Sequence, residues 1–180
     1  MIIKLLNNPK TNEYCLLKEK VLGPYFSWYY HDSCTEINTD GYTNNPIYNH
    51  EVLTGPRPST GRYFSEQRSD IAPLCLEVVS QILQTNSINA KFVHRIGLNC
   101  VHYYDGVPSV PHLDHGDFSH NNLIIYFNKF NNGPIDVFSE SCMETYFPKE
   151  DDIITFPGVL HSVHQPKPGD RRVVMAATFS

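Results

Sequence analysis

The rhythm of hydrophobic and polar positions changes near residue 91. Between Asp70 and Leu83, the residues Ile71, Cys75, Val78 and Ile82 recur at the spacing of one helix face. Asp70 is a suitable N-cap and Pro73 falls in the first turn, where a missing N–H costs nothing, so a helix is predicted over 70–83. From Lys91 onward short β-type runs take over: Phe92 to Tyr104, Leu123 to Asn128, Ile135 to Ser139, Asp152 to Phe156 and Arg172 to Phe179. Turn-forming groups separate them, at Asp105-Gly106, Asn131-Asn132-Gly133-Pro134, Pro157-Gly158 and Lys167-Pro168-Gly169-Asp170. Between about Thr35 and Arg62, Asn, Gly, Pro and Thr dominate without a clear period. That composition predicts a long irregular connection of the kind that often carries function. Many short strands after a helical portion predict a mainly β fold with supporting α-helices, a double-stranded β-helix or jelly roll.

Size and charge narrow this picture. A chain of 180 residues is expected to form a single domain over 1–180 and to bury roughly 70% of its unfolded surface. With 12% aromatic and only 18% charged residues, the composition is that of a packed globule, not of a disordered chain. A net charge of −5 argues against nucleic acid as a partner, although a local basic groove stays open. The cysteines Cys15, Cys34, Cys75, Cys100 and Cys142 are odd in number and form no Cys-x-x-Cys pair, which suits reduced thiols in a cytoplasmic protein. The amino-terminal apolar run is too short for a signal peptide, and no stretch approaches the roughly 20 apolar residues of a membrane span.

The candidate chemistry lies in the β-rich half. His112-Leu113-Asp114 places an imidazole and a carboxylate two residues apart, and on a strand both face the same side while Leu113 faces the other. His115-Gly116-Asp117 repeats the pattern on the opposite face and is the rival pair. His161 follows the apolar run Ile153 to Leu160, with His164 as its rival three residues on. Two imidazoles and one carboxylate on one face of a metal form the ligand set of non-haem Fe(II) oxygenases, with adjacent positions left open. Arg171 and Arg172 come about ten residues after His161, and an arginine fork is the donor that a carboxylate co-substrate needs. Only one of the two can face the site. A cupin-like metal-binding module without oxygenase activity, or a zinc hydrolase, could use the same three ligands.

Taken together, the carboxy-terminal half resembles the Fe(II)/2-oxoglutarate-dependent oxygenase superfamily, and in particular a compact phage-type member of its prolyl-4-hydroxylase-like branch. The resemblance runs through Tyr103-Tyr104-Asp105-Gly106, Pro111-His112-Leu113-Asp114, Leu123 to Asn128, Asn132-Gly133, Phe147-Pro148, Ile153 to Phe156, His161 and Arg171-Arg172-Val173-Val174. It departs from the family at Gly133-Pro134, where a Gly-Gly is usual. The resemblance implies that His112, Asp114 and His161 hold iron. It implies that Tyr126 and Arg172 hold the distal carboxylate of 2-oxoglutarate, with Tyr103 a further co-substrate tyrosine and Arg171 the alternative register. It also implies O2 as co-substrate and ascorbate as an optional addition. The expected reaction is hydroxylation of a C–H bond in a small molecule or a peptide, with succinate and CO2 as co-products. A carboxylate at 114 argues against halogenation.

Overall fold

The computed structural model describes residues 1–32 and 45–180. In chain order the elements are β1 (Lys4–Leu6), α1 (Asn12–Leu22), β2 (Tyr29–His31), β3 (Ile47–Thr54), a short 3-10 turn (Pro58–Thr60), β4 (Glu66–Gln67) and α2 (Ala72–Thr85). They continue with β5 (Val93–His102), β6 (Asn121–Tyr126), β7 (Ile135–Phe138), β8 (Met143–Tyr146), β9 (Ile153–Pro157), β10 (His161–Val163) and β11 (Arg171–Phe179). Among the described residues they build two antiparallel sheets. The larger runs β1-β9-β6-β11-β5-β3-β2, with β4 on β3, and the smaller runs β10-β7-β8. The result is the mainly β jelly roll that the residue pattern predicts.

Alternation along the central strands sets the layers. Ile96, Leu98 and Cys100 of β5, Leu123 and Ile125 of β6, and Val173 and Met175 of β11 pack against the buried faces of both helices. The other face of the same strands turns toward the smaller sheet. There Ile124, Tyr126 and Val174 join Ile135 and Val137 in a second cluster. Beside that cluster the facing side becomes polar, and a cavity opens.

Three expectations need correction. The helix begins at Ala72 and not at Asp70; the N–H of Ile71 bonds to the Ser69 hydroxyl at 3.4 Å, so Asp70 does not cap it. The stretch expected to be irregular contains the eight-residue strand β3, paired with β5 from Tyr48↔Cys100 to Leu53↔Ile96. Its inward residues Asn49 and Glu51 line the cavity, so polar groups occupy both faces and no apolar alternation shows. The part of that stretch from 35 to 44 lies outside the described residues, as does Cys34. Leu113 is 45% exposed and packs on no strand face, because His112 joins its neighbour by a single bridge and Asp114 sits in a bend. Among the described residues Cys15, Cys75, Cys100 and Cys142 are free thiols, and no helix is long and apolar enough to cross a membrane.

Asp151 ties α1 to the sheet. It accepts from Lys18 at 2.6 Å and from the Tyr14 hydroxyl at 2.7 Å, and pairs with Lys10 at 3.0 Å. Partial burial pulls its carboxyl upward, but the bonds from Lys18, Tyr14 and Lys10 outweigh this and hold it at about 2. A depressed carboxyl stabilises the fold above its unfolded value and loses that contribution as pH falls from about 4 toward 2. Its backbone is left-handed at φ 68°, which asparagine tolerates, so Asp151→Asn removes charge without backbone strain. Urea unfolding at pH 7 should show a loss of about 2 kcal/mol, and the acid limb between pH 4 and 2 should flatten.

Candidate metal centre

His112 and His161 are brought face to face by the main chain. Their backbones form an antiparallel bridge, with His112 N–H donating to His161 O at 3.0 Å and His161 N–H to His112 O at 3.1 Å. The two rings lie 4.5 Å apart. Each imidazole places Nδ1 against the carbonyl two residues earlier, Val110 O at 2.9 Å and Val159 O at 3.1 Å. Donation from Nδ1–H to those carbonyls fixes the tautomer and leaves the Nε2 lone pair free to ligate.

Asp114 completes the group. One carboxylate oxygen is 3.6 Å from His161 Nε2, and the other accepts from Arg95 Nη1 at 2.6 Å. The three ligating atoms all lie within 4.8 Å of one another. Burial works to raise the Asp114 carboxyl, but the Arg95 charge and then the neighbouring imidazoles hold it at about 2, so it is ionised at neutral pH. Burial pushes His161 downward, partly offset by Asp114, and so favours its neutral form. Neutral nitrogen and ionised oxygen are the states that a divalent cation requires.

The rival residues are engaged elsewhere. His115 Nε2 meets the Thr178 hydroxyl at 2.8 Å and its ring stacks on Phe118, while burial, followed by the charge of His120, pushes it down to about 4. Asp117 is exposed. His164 pairs with Asp136 at 2.6 Å.

The triad opens into a cavity of about 730 Å³ between the sheets, which Arg95, Asn99, Asn122, Tyr126 and Arg172 also line. Arg172 is only 3% exposed, and its Nη1 donates to Gly133 O at 3.0 Å and His164 O at 2.7 Å. Gly133 stands at φ +78°, and a Cβ there would come within 3.3 Å of Arg172 Nη1, so the Gly133-Pro134 turn is shaped to receive the guanidinium. Arg171 faces away, exposed, toward Leu22 O at 3.4 Å. Tyr126 is buried, and that burial raises its phenol against the opposing Arg172 charge.

Tyr103 does not join this group. It is 43% exposed and outside the cavity lining. The buried Gln165 holds the turn that follows it, accepting from the N–H groups of Tyr104, Asp105 and Gly106 and donating to Val107 O. Arg95, Asn99 and Asn122 were not foreseen as site residues, although each stands as a polar interruption in an apolar strand.

No protein-family profile matches the chain, and no curated protein matches it. Solved structures do. A prolyl hydroxylase from Trichoplax adhaerens, in complex with a hypoxia inducible factor oxygen degradation domain peptide, superposes with a TM-score of 0.64 at 12% identity, over 99% of this chain and 83% of that one. The non-heme alpha ketoglutarate dependent epimerase SnoN from nogalamycin biosynthesis gives 0.61 at 10% identity, over 99% and 77%. A 2OG-Fe(II) oxygenase family protein from Burkholderia pseudomallei gives 0.55 at 15% identity, over 76% and 67%. At such identities the likeness establishes a shared fold.

Proposed function

We propose that this protein is an Fe(II)- and 2-oxoglutarate-dependent oxygenase that hydroxylates a C–H bond of a small molecule or a peptidyl side chain. One observation carries the reading: a single cavity is lined both by a His-Asp-His ligand cluster and by a buried arginine and tyrosine. His161 and the carbonyl that holds Arg172, at His164, are three residues apart on an extended segment, about 10 Å. That length suits a short dicarboxylate chelated at one end and clamped at the other.

His112, Asp114 and His161 would hold the iron, which when bound supplies O2 activation coupled to decarboxylation of the keto acid. The chain does the rest. The carbonyls of Val110 and Val159 keep both imidazoles in the ligating tautomer. Arg95 keeps Asp114 ionised and oriented. Arg172 and Tyr126 would take the distal carboxylate, and the apolar floor of Ile124, Val174 and Ala176 would accommodate the methylene chain and exclude water.

The test is turnover without a prime substrate. Protein supplied with Fe(II), O2 and oxoglutarate should form succinate, and the anaerobic Fe(II) protein should develop a metal-to-ligand charge-transfer band on adding oxoglutarate. Absence of both overturns the assignment. Because His164 bonds to Asp136, His164→Ala should retain full iron stoichiometry by metal analysis, whereas loss equal to that of His161→Ala would mean the ligand set is wrong.

A further inference from the structure

We propose that Asn122 positions the metal-proximal carboxylate of the keto acid, an inference that rests on the oxygenase reading above. Asn122 is 3% exposed, lies on the same face of β6 as Ile124 and Tyr126, and lines the cavity. Neither its amide oxygen nor its amide nitrogen finds a hydrogen-bond partner among the described residues. The next three residues, Leu123, Ile124 and Ile125, are all apolar and buried. At such a position valine or isoleucine would be favoured twice over. They suit a pleated strand better than asparagine, and they lose no hydration on burial. A buried amide kept under those conditions calls for a ligand to satisfy it.

Strand register places this amide at the metal end of the cavity. Asn122 pairs with Phe156 on β9, whose ring meets the His161 ring at 5.3 Å. On its other side it pairs with Thr178 on β11, and Thr178 pairs in turn with Arg95, the partner of Asp114. Tyr126 lies four residues further along the same face, about 13 Å away, toward Arg172. β6 therefore offers a carboxamide to one end of a bound dicarboxylate and a phenol to the other.

The chemistry matches that placement. A keto acid that chelates a metal commits one carboxylate oxygen to it and leaves the second facing the wall. Arg95 Nη1 is engaged by Asp114, and the Thr178 hydroxyl by His115. The Asn122 carboxamide can turn an N–H toward the second oxygen. It does so without adding a cation that repels the metal or an anion that competes for it.

Asn122→Val tests this with oxoglutarate and with pyruvate, which carries the same chelating head but no distal carboxylate. In the anaerobic Fe(II) protein the variant should keep its iron affinity and bind both keto acids about tenfold more weakly or worse. Arg172→Ala should weaken oxoglutarate alone. The metal-free Asn122→Val protein should melt at or above the native temperature, because an unpaired buried amide has been removed. Unchanged oxoglutarate affinity, weakening confined to oxoglutarate, or a lower melting temperature would each overturn the role of Asn122. Asn122→Ala in the same titrations should give the same weakening of both keto acids. If the native protein binds neither keto acid, the oxygenase reading itself fails, and Asn122's role with it. Normal binding by both native and variant proteins removes the Asn122 assignment alone.

Discussion

His112→Ala, Asp114→Ala and His161→Ala should each reduce Fe(II) affinity by about 100-fold or more and leave a folded protein. The fold survives because the bond between the two histidine segments is made by their main chains, His112 N–H to His161 O and the reverse, and loses nothing when an imidazole is removed. Asp114 is the only anionic member of the cluster, so its loss removes both a donor and the compensating charge. Arg95 would then lack its partner, but its side chain is 38% exposed and water can take up the guanidinium. Anaerobic equilibrium dialysis with circular dichroism as the folding control measures both outcomes. His115→Ala and Asp117→Ala are the counter-test, because His115 is bonded to Thr178 and Asp117 is exposed. Iron loss in these two, with retention in the first three, would place the metal at the rival pair.

Sequence alone revealed most of the sheet wherever one face of a strand is apolar. β5, β6, β7, β9 and β11 each lie within about two residues of the expected runs, because Ile96-Leu98-Cys100 and Leu123-Ile125 mark a face packed on helices. β3 was hidden for the opposite reason: Asn49 and Glu51 face the cavity, so the strand lacks an apolar signature on its inward side. α1 escaped because its buried face holds only Tyr14, Leu17 and Val21, while Leu16 remains 46% exposed and blurs the period. The triad was legible because a two-residue spacing keeps His112 and Asp114 together even in a bend. Tyr103 lies outside the cavity lining, and the turn that follows it is held by Gln165, a partner about sixty residues away that no local pattern shows. Arg95 and Asn99 did carry a signal, as polar residues alternating with the buried Ile96, Leu98 and Cys100.

The two adjacent arginines should separate cleanly in oxoglutarate binding. Arg172→Ala is expected to weaken it by roughly 30-fold or more, the consequence of leaving a carboxylate without a charged partner at about 2–5 kcal/mol. Iron affinity should stay near native, since the guanidinium is bonded to Gly133 O and His164 O. Arg171→Ala should change neither affinity by much, because its guanidinium lies on the outer face against Leu22 O. Arg172→Lys should not rescue. The guanidinium is set in place by Gly133 O and His164 O, and a single ammonium cannot both hold those carbonyls and present a flat fork to a carboxylate. The same two carbonyls give the variant a second signature. Unpaired and largely enclosed, they should cost about 1–3 kcal/mol of stability, so Arg172→Ala should melt earlier than native protein even without metal or keto acid. Titrating oxoglutarate into the anaerobic Fe(II) protein well below that melting temperature separates the two effects. A loss of stability with unchanged oxoglutarate affinity would make Arg172 a structural strut between the Gly133 turn and β10. A strong binding defect in Arg171→Ala alone would mean that the clamp approaches from the other face of β11.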